Sequence, residues 1–405
     1  MPIDIPLEII ELIIDQVASL NDKATLRNVA LSSRRFADHC QQKLFHTIDL
    51  GDRCVSGAEY YRRFFYIMYR RPLLRPYVRD LRLVDTYVWD KHGDASWILT
   101  EDSICDLFDM LPNLNAFSLT FNVGHPTWTS FTPHLRHSFV QVAQRPAIKS
   151  YALRRIRNFP PTLLVALATV KRLELHDVQV QNLHLASSLG IILNLPSLPT
   201  PKLELLVLKS PSKNTVHALR NLISAYSGSA LKTLKLGLVD ENDLDLISEL
   251  WELMHWASKT LTHLEWRPGM RPKTPAKRPP PPINIGIFPR LRTLHFIVNF
   301  HSDNQPVFAP LLDLLSDVSS GQHFQELVIE CIFLKTLELV SCKSDWSALD
   351  IILSKSQFSG LTTVMFCSRL KPAPFLKESA RAVLLEQLPA TRSRGVAVEV
   401  DLDIP

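Results

Sequence analysis

Leu231-Lys232-Thr233-Leu234-Lys235-Leu236 is the stretch that decides the fold. Two leucines separated by one polar residue, with a third apolar residue three positions earlier, describe a short strand with one face in a core. The pattern recurs before it at Val78…Leu81-Arg82-Leu83, Leu114…Phe117-Ser118-Leu119 and Ile148…Tyr151-Ala152-Leu153. It recurs again at Val170…Leu173-Glu174-Leu175 and Leu203…Leu206-Val207-Leu208. After it come Leu261…Leu264-Glu265-Trp266, Leu291…Leu294-His295-Phe296, Phe324…Leu327-Val328-Ile329 and Leu361…Val364-Met365-Phe366. Successive copies start 22 to 37 residues apart. Leu334…Leu337-Glu338-Leu339 follows its neighbour too closely for a full repeat and reads as an irregular strand.

Helical periodicity fills the intervals. It runs over Tyr60 to Arg70, Ser103 to Met110, His134 to Ala143, Val216 to Tyr226, Leu244 to Ala257, Phe308 to Leu315, Trp346 to Leu353 and Leu376 to Leu388. Strand-then-helix units at this period predict an α/β fold built as a solenoid. A doubly wound α/β domain alternates in the same way and is the competing architecture. The array resembles irregular leucine-rich repeats. The resemblance implies parallel strands on the concave side and helices on the convex side. Asn122, Asn299 and Cys342 fall where that family closes its loops with Asn or Cys, and the other copies lack such a residue.

The first 50 residues carry no such repeat. Pro6 suits a first helical turn, where the missing N–H is no loss. Ile9, Ile10, Ile13, Ile14 and Val17 then follow at helical spacing. Asp22 is placed to cap a second helix with Leu26, Val29 and Ala30 on one face. These short helices carry more apolar surface than so small a unit can bury, which is the signature of a docking module. The segment resembles the F-box that opens many fungal F-box proteins with leucine-rich repeats. Ile5-Pro6, Glu8, Ile9-Ile10, Ile13, Asp22, Leu26, Ser33-Arg34-Arg35-Phe36 and Leu44-Phe45 follow that pattern in order, while Ser32 stands where it is usually apolar. The resemblance implies an F-box over 1–50 and a leucine-rich-repeat-like solenoid over 51–405. It implies docking to a Skp-type adaptor, and through it a cullin, by Ile5, Pro6, Ile9, Ile10, Ile13, Leu26, Val29, Ser33, Phe36, Leu44 and Phe45.

Composition narrows the function. Glycines are few, 12 in 405 residues, and no Gly-rich phosphate loop is present. Lys and Arg exceed Asp and Glu by only five, so nucleic acid is not implied. Six cysteines (Cys40, Cys54, Cys105, Cys331, Cys342, Cys367) show neither Cys-x-x-Cys nor zinc spacing. No secretory signal and no apolar run of membrane length is evident, the longest candidate being Leu189 to Leu195. The expectation is an intracellular protein, cytoplasmic or nuclear or both, with reduced thiols. Residues 267–283, rich in Pro, Lys and Arg, predict an exposed extended loop between repeats.

Nothing in the sequence assembles a catalytic set. Asp240, Glu241 and Asp243 suit a strand-to-helix turn, and His134 and His137 lie three apart with no third ligand in reach. No metal or cofactor is expected. In a leucine-rich solenoid the residues just after the strand cores line the concave face. Arg154, His176, Lys209 and Arg267 occupy such positions and predict a basic stripe for an acidic or phosphorylated protein substrate. The resemblance therefore implies the non-catalytic substrate-recognition subunit of a Skp–cullin–F-box ubiquitin ligase. A ligase-independent protein–protein interaction scaffold is the alternative.

Overall fold

The computed structural model describes residues 6–20, 22–51, 57–85, 96–167, 169–181, 202–225, 230–239, 243–268, 285–299, 308–316, 324–332, 343–368 and 374–401. Ile5, Cys54, Cys342, the Leu189 to Leu195 run, the Leu334 to Leu339 copy and all but the first two residues of the Pro-rich loop lie outside them. The fold is α/β, with twelve parallel strands ordered as in the sequence. The chain forms two compact units, Met1–Arg172 and Leu173–Pro405.

The first unit opens with three helices, α1 (Leu7–Ser19), α2 (Lys23–Ser32) and α3 (Arg34–His46). Each starts as its residues dictate. Pro6 stands immediately before α1, and its carbonyl accepts from the Ile9 and Ile10 N–H groups. Asp22 caps α2 through the Thr25 N–H at 3.0 Å, and Ser33 caps α3 through the Arg35 N–H at 3.2 Å. Four strands follow, β1 (Thr47–Leu50), β2 (Asp80–Asp85), β3 (Ala116–Phe121) and β4 (Ser150–Phe159), with α4 (Gly57–Arg70) between the first two. Leu81, Phe117 and Tyr151 stand in register, as do Leu83, Leu119 and Leu153, and all six are buried. Phe108 and Phe139, from the helices over 104–110 and 133–144, close on Phe117 at 5.4 and 5.7 Å between ring centres.

The second unit continues with β5 (Arg172–Val180), whose first residue lies at the boundary, and β6 (Leu205–Lys209) to β12. The rest are β7 (Thr233–Val239), β8 (His263–Pro268), β9 (Thr293–Asn299), β10 (Glu326–Ile332), β11 (Thr363–Ser368) and β12 (Ala397–Asp401). From β6 onward each strand pairs parallel with the next. One ladder runs Leu206, Leu234, Leu264, Leu294, Leu327, Val364; another runs Leu208, Leu236, Trp266, Phe296, Ile329, Phe366. All twelve side chains are buried. Burying each such side chain contributes roughly 1.5–3 kcal/mol, so these ladders are the core of the unit.

All ten repeat copies assigned to full strands become β2 to β11. Within each unit the strand order never reverses, whereas a doubly wound sheet reverses at its switch point. Right-handed connections between parallel neighbours in such an order put the helices of a unit on one face. The helices pack accordingly on their successors: 213–225 on 244–257, and 309–316 on 343–353. Strands β1 and β12 were not among the expected ten. β1 repeats the motif as Phe45…Ile48-Asp49-Leu50, residues assigned to the helical segment instead. β12 alternates Val396, Val398 and Val400 without an apolar residue three positions ahead of its core.

Candidate functional site

The ten docking candidates among the described residues divide by where the helices turn them. Leu26 is only 3% exposed and, with Ile14 and Cys40, forms the centre of the three-helix bundle. Ile10, Val29, Phe36 and Leu44 are half-buried against that centre. These residues hold the bundle together rather than present a surface. Ser33 serves as the α3 cap, and Phe45 is half-buried at the helix end. Pro6, Ile9 and Ile13 remain exposed, Ile9 at 46% and Ile13 at 55%.

The reason lies in α1 itself. Ile10, Ile14 and Val17, spaced four and three apart, face the core. Ile9, Leu12 and Ile13 lie on the other side, and Leu12 is 63% exposed. The apolar pattern wraps more than half the helix, and only one face has a home in the bundle. Asp15, also on α1, fixes its rotation by accepting from Lys43 Nζ and meeting His39 Nε2 on α3, both at 2.8 Å. These contacts, Lys43 first, hold the Asp15 carboxyl below its ordinary range. Leu12 was absent from the sequence candidates, although its position three residues after Ile9 marks it as part of the same face. Ser32 is exposed and its hydroxyl donates to the Val29 carbonyl at 2.8 Å.

The four cations expected in a stripe are distributed over both units. Arg154 is exposed on β4 in the first unit. In the second unit Lys209 and Arg267 share a row two strands apart, with Gly237 between them. A Cβ at Gly237 would stand 3.1 Å from Lys209 Cγ, so the lysine stem lies across the glycine. His176 Nε2 is turned towards Glu174 on its own strand, 3.6 Å from a carboxylate oxygen and beyond hydrogen-bond reach. Arg155, Asp177 and Ser210, each directly after one of these residues, have φ of 59°, 53° and 47°. A left-handed residue there redirects the chain as the strand core ends.

A different charged row was not anticipated. Lys235, Glu265 and His295, the residues between the paired apolar positions of β7, β8 and β9, stand side by side in register. Lys235 Nζ donates to Glu265 Oε2 at 2.7 Å, and His295 Nδ1 lies 3.6 Å from the same oxygen. His295 Nε2 approaches Glu330 Oε2 on β10 to 3.1 Å. Burial opposes charge on His295, but the Cys367 thiol and the carboxylates of Glu265 and Glu330 outweigh it and raise the imidazole to about 10. Burial likewise opposes charge on Glu265, yet His295 and Lys235 bring its carboxyl down to about 2. The alternation of Leu-x-Leu puts each x on the face away from the leucines, and this signal was available in the sequence.

His134 and His137 are exposed on the helix over 133–144, with His137 Nε2 2.9 Å from Gln141 Nε2. Asp243 caps the helix over 244–257 through the Leu246 N–H at 2.9 Å, while Asp240 and Glu241 lie outside the described residues. Cys40, Cys105, Cys331 and Cys367 are free and buried. Among the described residues no group of three His, Cys, Asp or Glu side chains is arranged to hold a metal ion. No helix of the described residues is long and apolar enough to cross a membrane. No family model matches the chain, and no curated protein matches it.

Proposed function

We propose that this protein is the substrate-recognition subunit of a Skp–cullin–F-box ubiquitin ligase, with its first three helices as an F-box and its strand-and-helix array as a leucine-rich-repeat solenoid. One observation carries the proposal: Ile9, Leu12 and Ile13 stand in water on a bundle that already has its own core. Contiguous apolar surface of this kind is covered by a partner. The partner would be a Skp-type adaptor, which the F-box resemblance of residues 5–45 supports. Lys209 and Arg267, in one row of the second unit, would favour an acidic or phosphorylated substrate segment. The chain itself would supply no catalytic group. Its contribution would be proximity between substrate and the ligase machinery.

The test is co-purification of the full chain with a recombinant Skp-type adaptor. A stable one-to-one complex supports the reading. A folded, monodisperse chain that does not retain the adaptor favours a ligase-independent scaffold.

A further inference from the structure

The first unit also contains a cavity of about 770 Å³. Small-molecule sites usually enclose about 300–1,000 Å³ and are mostly apolar with a few convergent polar groups. This one has that composition. Phe45, Ile48, Phe64 and Val84 supply apolar lining from α3, β1, α4 and β2. One wall is set by the backbone, because a Cβ at Gly51 would stand 2.3 Å from the Val84 carbonyl oxygen. Only glycine allows the chain leaving β1 to lie so close to β2.

The charged lining is unequal. Lys23 and Arg27 of α2 and Arg63 of α4 meet there, against the single carboxylate of Asp49. Arg63 also pairs with Glu59 on its own helix. Cations gathered around an apolar hollow repel one another, and an anion between them relieves that repulsion. Guanidinium groups bind carboxylate or phosphate through paired N–H donors. We propose that this cavity binds a small molecule with one oxyanion head, carboxylate or phosphate, on an apolar body. The head sits among Lys23, Arg27 and Arg63, and the body lies on Phe45 and Phe64. Such a ligand fastens α2 to α4. The proposal does not rest on the exposed α1 face, since it uses neither Ile9, Leu12 nor Ile13; of the docking candidates the cavity includes only Leu44 and Phe45.

Calorimetric titration of the full chain with phenyl phosphate, 3-phenylpropionate, inorganic phosphate and benzyl alcohol tests it. At least one of the two aromatic anions should bind saturably at one site per chain, and the tighter of them identifies the head. Inorganic phosphate and benzyl alcohol should bind at least tenfold more weakly than that probe. The double variant Arg27→Gln with Arg63→Gln should weaken it at least tenfold. Ile67→Trp, at a 40% exposed position on the cavity lining, should block binding while leaving the circular dichroism unchanged. The proposal is overturned if neither aromatic anion binds, if inorganic phosphate or benzyl alcohol binds as tightly, or if the folded Ile67→Trp variant binds like the parent.

Discussion

The buried carboxylate of Asp350 accepts from the Thr391 N–H at 2.8 Å and from the Thr391 hydroxyl at 2.7 Å. The Ala390 N–H adds a third bond at 2.9 Å. One side chain from the helix over 343–353 thus satisfies the free donors at the start of the helix over 389–393, where Pro389 has no N–H to offer. Hydrogen bonds to a charged acceptor are worth about 1.5–3 kcal/mol each, and orphaning buried donors adds to the loss. Asp350→Ala should therefore destabilise the chain by about 3 kcal/mol or more in urea unfolding, and Thr391→Val by about 1–2 kcal/mol. Equal midpoints for parent and Asp350→Ala would refute the cap.

The Lys235–Glu265–His295 row predicts a pH window. His295 is raised from 6.5 to about 10, so its contribution is complete below 6.5 and is lost as pH climbs through 10. Glu265 is lowered from 4.5 to about 2, so its contribution is complete above 4.5 and is lost as pH falls through 2. Thermal midpoints should fall between pH 7 and 10 in the parent. His295→Gln should flatten that decline relative to the parent, and a slope unaltered by the substitution would assign the pH dependence to other groups.

On the proposed F-box reading, the α1 face separates docking from folding. Ile9→Asp with Ile13→Asp should abolish adaptor capture while the helical signal and melting temperature stay close to the parent, because both side chains already stand in water. Leu26→Ala should do the reverse. It should cost about 2–5 kcal/mol by opening a cavity in the bundle, and affect capture only through unfolding. Retention of the adaptor by the Ile9/Ile13 variant would remove α1 from the docking surface.

Leu234 lies in the buried ladder between Leu206 and Leu264. Leu234→Ala should cost about 2–5 kcal/mol in chemical denaturation, while Lys235→Ala next to it should cost about 1 kcal/mol or less. The two substitutions differ by one position and by which face of the strand they touch. A larger loss for Lys235→Ala would mean that the register of β7 has been misassigned.

The strands and most helices were legible along the chain because burial there is periodic. Leu234 and Leu236 point to one face however the strand packs, and helical periodicity fills most of the intervals between copies. Asp22 and Asp243 declared their helix starts because a cap acts on N–H groups only three residues away. Other features needed the third dimension. Ile13 and Ile14 are the same residue type in one helix, and only the packing of α1 on α2 and α3 decides that Ile14 is core and Ile13 is exposed. The partnership of Lys235, Glu265 and His295 spans 30 residues at each step and exists only once neighbouring strands have settled into register. The cavity beside Gly51 is assembled from α2, α3, α4, β1, β2 and Asn122 just past β3, none of which contains it alone. A side chain's exposure, and so its availability to a partner or a ligand, depends on what the rest of the chain places against it, and nearest neighbours in sequence carry no record of that.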